Sequence, residues 1–339
     1  MGSISSAEGE VLMEVRGLAK SFELPHHVMD RLRGRPALRV HALRDVSLTL
    51  RRGQTLGLVG ESGCGKSTLA RCLVGLLRPD KGQVLYAGSD LTGLDHTGWL
   101  PYRRRLQMVF QDPFSSLNPR QRVGDALGEV LAVHALVPPA QHAARVAELL
   151  GQVGLAAADA GKFPGEFSGG QRQRIAIARA LAVGPEFRVA DEPLSALDVS
   201  IQAQILRLLL ELRDRLHLTL LFVSHDLRTV RYVSDQVAVM YLGRVVEYGP
   251  AAAIFERPRH PYTQALLASV PGTGSVHAGL AGDIPSAIHP PEGCPFHTRC
   301  PYRFQRCQEE LPLLREVGPG QVAACHLAEA DAVTASSGR

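Results

Sequence analysis

The chain has 339 residues, with 37 Lys and Arg against 33 Asp and Glu, a formal net charge of +4 and 45% apolar residues. This composition is typical of a soluble protein of two domains, and no apolar run approaches the roughly 18–20 residues that a membrane-spanning helix needs. No secretory signal opens the sequence, so we expect a protein that works in the cytoplasm or is held at a membrane only by partners.

The first third of the chain predicts a series of strands. Short apolar or alternating segments indicate strands at about residues 11–22, 42–50, 55–59, 83–86 and 106–110. At the end of the first of them, Phe22 could stack on an adenine ring, although an aromatic residue at a strand edge more often serves plain packing.

The stretch GESGCGKS at residues 60–67 fits the P-loop pattern G-x-x-x-x-G-K-[ST] at every fixed position. It follows a predicted strand and leads into a predicted helix, so glycines and the helix N-terminus can cradle phosphate oxygens. Lys66 would reach the β- and γ-phosphates, and the Ser67 hydroxyl would hold Mg²⁺. The chain is therefore expected to bind a nucleoside triphosphate through Gly60, Glu61, Ser62, Gly63, Cys64, Gly65, Lys66, Ser67 and Thr68.

The middle of the chain interrupts this alternation with helices. Residues 112–120 are rich in breakers and predict a loop, and residues 123–155 turn helical. Ser168 is placed as the N-cap of a further helix that Gly184 and Pro185 end. Beyond it we predict strands at 187–190, 218–223, 236–240 and 244–247 and a long helix at 201–216.

Two adjacent carboxylates end the predicted strand at residues 187–190. Asp191 is placed to hold Mg²⁺ through its water shell, and Glu192 is free to act as general base on the attacking water. His225, which also follows a strand, is placed to meet the γ-phosphate. Arg188 is unexpected in a strand that should be continuously apolar, so we expect it to reach solvent or to pair with an acid.

These motifs resemble those of the ATP-binding-cassette (ABC) proteins. FSGGQ at 167–171 resembles their signature sequence, Gln111 occupies the place of the Q-loop glutamine, residues 195–198 that of the D-loop, and His225 that of the switch histidine. The resemblance implies an α/β fold: a RecA-like P-loop NTPase cassette with an antiparallel β part at residues 1–255. A helical subdomain is inserted at about residues 112–182, and a small, irregular, Cys-rich C-terminal domain follows at residues 256–339.

The resemblance also implies a mechanism. Two cassettes dimerise head to tail, so that each ATP lies between one P-loop and the partner's signature helix. ATP closes the dimer, and hydrolysis assisted by Glu192 opens it. The residues implied at the nucleotide beyond the P-loop are Phe22, Ser168, Gly169, Gly170, Gln171, Asp198, Gln111 and His225, with Mg²⁺ at Ser67, Gln111 and Asp191.

A closer resemblance is to the ATP-binding subunits of bacterial dipeptide and oligopeptide importers. The stretches of this sequence that carry the resemblance include QMVFQDPFSSLNPR at 107–120, RHPYTQALLASVP at 259–271 and the segment from Ile284 to Cys325. It implies two transmembrane permease subunits, a second, similar ATP-binding subunit and a periplasmic or lipid-anchored substrate-binding protein. It also implies a peripheral location on the cytoplasmic face of the inner membrane.

Other functions remain open from the sequence. A nickel or glutathione importer would use a similar subunit, because specificity lies in other chains. A non-transport ABC ATPase acting on DNA or ribosomes is a further alternative. Such proteins carry a long coiled coil or two cassettes in one chain, and this sequence has neither a heptad run nor a second P-loop. We expect no nucleic-acid partner.

Four cysteines crowd the end of the chain, at Cys294, Cys300, Cys307 and Cys325. Four thiolates suit a [4Fe–4S] cluster or tetrahedral zinc, and the absence of tight C-x2–4-C pairs favours the cluster. Some importer subunits that this tail resembles carry such a cluster. Zinc and four reduced thiols remain alternatives. We predict a structural cluster rather than a redox catalyst.

Overall fold

The structure is a computed structural model, and it describes residues 9–24, 37–112, 117–195, 197–269 and 282–328. The strands run in chain order as β1 (Val11–Glu23), β2 (Arg39–Arg51), β3 (Thr55–Val59), β4 (Lys81–Tyr86), β5 (Ser89–Asp90), β6 (Leu106–Val109), β7 (Phe187–Asp191), β8 (Thr219–Val223), β9 (Gln236–Tyr241), β10 (Arg244–Pro250), β11 (Arg315–Gly318) and β12 (Gln321–Ala323). The α-helices are α1 (Lys66–Leu73), α2 (His96–Arg103), α3 (Val123–Val133), α4 (His142–Gln152), α5 (Gly169–Leu181), α6 (Val199–Leu216), α7 (Leu227–Val233), α8 (Ala251–Glu256), α9 (Pro261–Ala268) and α10 (Gln305–Glu309).

The strands and helices predicted from periodicity are confirmed, with shifts of a few residues at their ends. The elements that the sequence analysis missed are β5, α2, α7, α8, α9, α10, β11 and β12. None of these exceeds eight residues, which is too short for a periodic pattern to emerge. No described helix has both the length and the apolar character that crossing a membrane requires.

The chain divides into two compact units. Unit 1 contains the described residues of Met1–Glu10, Arg51–Gln54 and Leu94–Val223. Its strands β6, β7 and β8 are parallel and pair in that order. All residues of β7 and β8 are buried, as in parallel strands that are covered on both faces. Helices α3, α4 and α5 contact one another and form the helical part of this unit.

Unit 2 contains the described residues of Val11–Leu50, Thr55–Gly93 and Ser224–Arg339. One antiparallel sheet has the order β2-β1-β4-β5, and a second group of strands has the order β11-β12-β10-β9-β3. In this group β3 is parallel to β9, whereas the C-terminal hairpin of β11 and β12 pairs antiparallel with β10. The described residues after 255 belong to the same unit as β9 and β10, and the predicted boundary at residue 255 stays a prediction.

Arg188 is the second residue of the buried strand β7 and contradicts both expectations made for it. The residue is 2% exposed, so it does not reach solvent. None of its three guanidinium nitrogens has a hydrogen-bond partner among the described residues. Burial lowers the pKa of Arg188 to about 9, because a guanidinium that has lost its hydration favours the neutral form. The side chain is therefore expected to destabilise unit 1.

Replacing the guanidinium should consequently stabilise the protein. We expect Arg188→Met, which keeps an unbranched apolar stem, to raise the free energy of unfolding by about 1–4 kcal/mol, and the Tm at pH 7 by about 1–6 °C. Because burial lowers the pKa of Arg188 to about 9, the folded wild type releases this proton before the unfolded chain does. The wild type should therefore gain stability as the pH rises above about 9, and its difference from Arg188→Met should shrink.

The matched control is Arg207→Met on helix α6. The Arg207 side chain is 83% exposed and pairs with Glu211, so its loss should change the free energy of unfolding by at most about 0.5 kcal/mol. Thermal unfolding of both variants without nucleotide provides the comparison. A lower Tm for Arg188→Met than for the wild type would show that a partner compensates the buried charge.

Candidate functional site

The predicted P-loop connects β3 to α1 in unit 2, with its glycines where the backbone requires them. Gly60 has a φ of 150°, and a Cβ at this position would lie 2.2 Å from the Met240 carbonyl oxygen. Gly65 has a φ of 105° as the N-cap of α1, and its Cβ would lie 2.3 Å from the Ala42 carbonyl oxygen. The loop thus runs close against backbone on both sides, where a side chain does not fit.

The loop presents the groups that an anion needs. No side chain caps the N-terminus of α1, so its first-turn N–H groups and the positive end of the helix dipole can face a phosphate. Lys66 is 5% exposed, and its Nζ donates to the carbonyl oxygens of Gly60 at 2.7 Å and Glu61 at 3.1 Å. The lysine charge is thereby held within the loop. Cys64 is buried, and burial raises the pKa of its thiol, which fits a packing role.

The predicted catalytic carboxylates lie in unit 1 at the end of β7. Asp191 is buried and Glu192 is half-buried. Glu192 has a φ of 45°, a left-handed conformation that costs a non-glycine residue about 1–3 kcal/mol and is often found at functional sites. Gln111 Nε2 donates to Glu192 Oε2 at 3.0 Å. The structure therefore brings together two residues that the sequence analysis assigned to the same reaction.

The signature sequence forms the start of α5 in unit 1. Ser168 is its N-cap: the Gln171 N–H donates to Ser168 Oγ at 3.3 Å, and the Ser168 N–H donates to Gln171 Oε1 at 3.0 Å. This reciprocal capping box satisfies two backbone donors. At Gly170 a Cβ would lie 2.4 Å from Ile201 Cγ2, and at Gly169 it would lie 3.5 Å from Leu197 Cδ2. The glycines thus let α5 begin close to the start of α6.

Three further predicted residues lie near element ends. Asp198 is exposed and immediately precedes α6 in unit 1. Phe22 lies in β1 of unit 2, 37% exposed, with Lys20 Nζ 5.6 Å from its ring centroid. His225 is exposed and follows Ser224, whose N–H donates to the carbonyl oxygen of Leu58 in β3 at 3.2 Å. Ala196 of the predicted D-loop and residues 113–116 after Gln111 lie outside the described residues.

The four C-terminal cysteines gather in unit 2. Cys294, Cys300, Cys307 and Cys325 line one small cavity, together with His260, Phe296, His326 and other residues. Burial raises the pKa of Cys294 to about 12, and the neighbouring Cys325, Cys307 and Cys300 act in the same direction. In the part of the chain that the structure describes, no group of three or more His, Cys, Asp or Glu side chains is arranged to hold a metal ion.

The sequence analysis missed the residues through which the C-terminal segment, meaning the described part of residues 256–339, holds the P-loop. Tyr262 Oη accepts the Glu61 N–H at 2.9 Å, and Arg299 forms two hydrogen bonds with the Glu61 carboxylate. It also missed buried Glu247, which accepts from the His260 N–H. The stretch at 259–271 was noted only for its resemblance, and no local pattern pointed to these long-range contacts.

Known proteins are similar over almost the whole chain. Residues 43–195 match the family described as ABC transporter, and residues 246–307 match the oligopeptide/dipeptide transporter C-terminal region. The oligopeptide transport ATP-binding protein AppF of Bacillus subtilis (strain 168) is 46% identical over 331 residues, covering 96% of this chain and 99% of that protein. The di/tripeptide transport ATP-binding protein DppF of Pseudomonas aeruginosa (strain UCBPP-PA14) is 45% identical over 327 residues, covering 94% and 98%.

Solved structures of ATP-binding cassettes share the fold of this chain. The dimeric ATP-binding cassette MJ0796 in a post-hydrolysis state bound to ADP and Pi aligns with a TM-score of 0.62 at 26% identity, covering 71% of this chain and 99% of that chain. The structure of cbiO1 from Clostridium perfringens, part of an ABC transporter complex, aligns with a TM-score of 0.62 at 28% identity, covering 74% and 92%. The chain therefore belongs to the ATP-binding subunits of the oligopeptide and dipeptide ABC transporters, and it is a P-loop ATPase of the cassette fold.

Proposed function

We propose that this ATPase powers the import of dipeptides or oligopeptides. The observation that carries the proposal is the match of residues 246–307 to the oligopeptide/dipeptide transporter C-terminal region. The relatives named for peptide transport support it, because they are similar over nearly the whole chain rather than over the cassette alone. We retain residues 1–255 as the ATP-binding domain and residues 256–339 as the C-terminal domain in this proposal.

Each residue of the nucleotide site has a proposed role. The P-loop amides and Lys66 bind the phosphates, and Ser67, Gln111 and Asp191 would hold Mg²⁺, which offsets phosphate charge when it is bound. Glu192 takes a proton from the attacking water, and His225 contacts the γ-phosphate. Phe22 stacks on the adenine, while Ser168, Gly169, Gly170, Gln171 and Asp198 serve the nucleotide held by a second cassette.

We propose the partners that the family resemblance implies, and the relatives named as transport ATP-binding proteins support such an assembly. Two permease subunits, a second and non-identical ATP-binding subunit, and a periplasmic or lipid-anchored substrate-binding protein would complete the transporter. This assembly would hold the chain at the cytoplasmic face of the inner membrane. Nucleotide-driven closing and opening of the two cassettes would then shift the permeases between conformations.

Purification of the transporter tests the proposal. The tagged chain is isolated from membranes in mild detergent, its co-purifying subunits are identified, and the complex is reconstituted into vesicles. We expect ATP-dependent uptake of a labelled di- or oligopeptide, with little uptake of Ni²⁺ or glutathione. Uptake of Ni²⁺ or glutathione without peptide uptake, or co-purification with ribosomes or DNA alone, would contradict peptide import.

We also propose that Cys294, Cys300, Cys307 and Cys325 bind a [4Fe–4S] cluster that holds the C-terminal segment together. Their convergence on one cavity supports it. Four cysteine thiolates are the usual ligands of a [4Fe–4S] cluster, and the absence of tight C-x2–4-C pairs among these four favours the cluster over zinc.

Metal analysis decides between these occupants. Anaerobically purified protein should contain about four irons and four sulfides per chain with broad visible absorption, and Cys300→Ser should lose most of both. Cys72→Ala provides the control, because Cys72 is a buried cysteine in α1 and does not line the cavity. Iron-free wild-type protein with normal ATP turnover, or stoichiometric zinc, would contradict the cluster.

A further inference from the structure

The P-loop of this protein carries a carboxylate, Glu61, whose every polar group is held by a neighbour. The Glu61 N–H donates to Tyr262 Oη at 2.9 Å, and its carbonyl oxygen accepts from Lys66 Nζ at 3.1 Å. Its carboxylate accepts from Arg299 Nη1 at 2.7 Å and from Arg299 Nη2 at 3.0 Å. Two of these three partners come from the C-terminal segment, 201 and 238 residues further along the chain.

The ion pair is largely removed from water. The Arg299 side chain is 4% exposed, and that of Glu61 is 20% exposed. A two-pronged guanidinium–carboxylate contact fixes both distance and orientation, and it is screened less by salt than an exposed pair. The contact therefore joins the P-loop to the C-terminal segment more firmly than the exposed ion pairs of the same unit.

Aromatic side chains fix the arginine in place. Arg299 lies 5.9 Å from the ring centroid of Tyr241 and donates to Tyr241 Oη at 3.4 Å. The Tyr241 ring packs against Tyr262, with centroids 4.6 Å apart, and against Phe296, with centroids 5.3 Å apart. The two partners of Glu61 from the C-terminal segment thus meet at one aromatic cluster of Tyr241, Tyr262 and Phe296: Tyr262 belongs to it, and Arg299 packs against it through Tyr241.

The charge of Glu61 needs this partner because of what the loop binds. A P-loop collects amide N–H groups and a lysine to hold polyphosphate, and an unpaired carboxylate within it would repel that anion. Without Arg299, the negative charge of Glu61 would lose the arginine that neutralises it, and the P-loop would lose a contact that fixes its position. Removing one partner of a buried ion pair is costly, because the other charge then stays buried without compensation.

We propose that Arg299 is a positioning residue for ATP: it neutralises Glu61 and fixes the P-loop, so that the C-terminal segment sets the affinity of the cassette for its nucleotide. The proposal rests on the ATP-binding function and is independent of the transported substrate. Tyr262 contributes by holding the Glu61 amide.

Equilibrium binding of Mg·ATP to the full chain tests this role. We expect Arg299→Ala to raise the Kd by about 10- to 100-fold, as for hydrogen bonds to charged groups. Arg299→Lys should lie in between, because lysine keeps the charge without the two-pronged geometry. The matched control is Arg306→Ala: Arg306 also directly precedes a cysteine and pairs with a glutamate, Glu310, at 2.7 Å, but this pair joins residues only four apart in the sequence. The Kd of Arg306→Ala for Mg·ATP should equal that of the wild type.

A second substitution separates charge neutralisation from a general loss of structure. Adding Glu61→Gln to Arg299→Ala should recover most of the lost affinity, because the amide carries no charge to repel phosphate. The loss in Arg299→Ala should also diminish at high salt, which screens that repulsion. Unchanged ATP affinity in Arg299→Ala would overturn the proposal, and so would a double variant that binds ATP more weakly than Arg299→Ala. If Arg299→Ala does not fold, Arg299→Lys and the double variant carry the same comparison.

Discussion

Glu192→Gln is expected to lower ATP turnover by about 10²–10⁴-fold, the usual contribution of a general base, while ATP still binds. Glutamine cannot take a proton from the attacking water, but its amide oxygen can still accept the hydrogen bond from Gln111 that the structure shows at 3.0 Å. The substitution should therefore change the chemistry and leave the geometry in place. Phosphate release by the purified transporter measures ATP turnover, and equilibrium binding measures the affinity for ATP.

The control lies at the other end of the same strand. Glu186 directly precedes β7 and pairs with Arg52 at 2.9 Å, with its side chain 38% exposed, so Glu186→Gln should leave turnover unchanged. An ATP-bound dimer should persist in Glu192→Gln and dissociate in Glu186→Gln as the nucleotide is consumed. Turnover of Glu192→Gln close to that of the wild type would refute the assignment of Glu192 as the base.

Gly60→Ala is expected to abolish measurable ATP binding. The methyl group would lie 2.2 Å from the Met240 carbonyl oxygen and 2.8 Å from Cys64 Sγ, so either the loop or strand β9 must move. The φ of 150° at Gly60 is also a conformation that only glycine adopts readily. Because β9 is paired on both sides within its sheet, we expect the loop to shift and the phosphate cradle to be lost.

Gly88→Ala separates steric conflict from backbone strain. Gly88 also has a positive φ, of 81°, but a Cβ there meets no atom within 4 Å. This variant should lose about 1–2 kcal/mol of stability and bind ATP like the wild type. Circular dichroism and thermal unfolding show whether each variant folds, and isothermal titration gives the affinity. Normal ATP binding by Gly60→Ala would mean that the loop tolerates the clash by another movement.

Local sequence is sufficient to predict much of the candidate nucleotide site. The P-loop glycines, Lys66 and Ser67 act at a fixed spacing within one turn, so a short pattern is sufficient to recognise them. Asp191 and Glu192 were identifiable because a buried parallel strand appears as a continuous apolar run that ends where the polar residues begin. The capping box at Ser168 and Gln171 is likewise a contact between residues three apart.

Only the tertiary structure shows which residues far apart in the sequence contact one another. Arg188 interrupts an apolar strand in the sequence, but only the packing of unit 1 shows that it is buried without a described partner. Tyr262 and Arg299 carry no local pattern, yet they contact Glu61 across 201 and 238 residues. Periodicity and motifs record only interactions between residues close in sequence. The sequence by itself therefore predicts which residues bind ATP, whereas the residues that hold them in place emerge from the fold, because packing brings distant segments together.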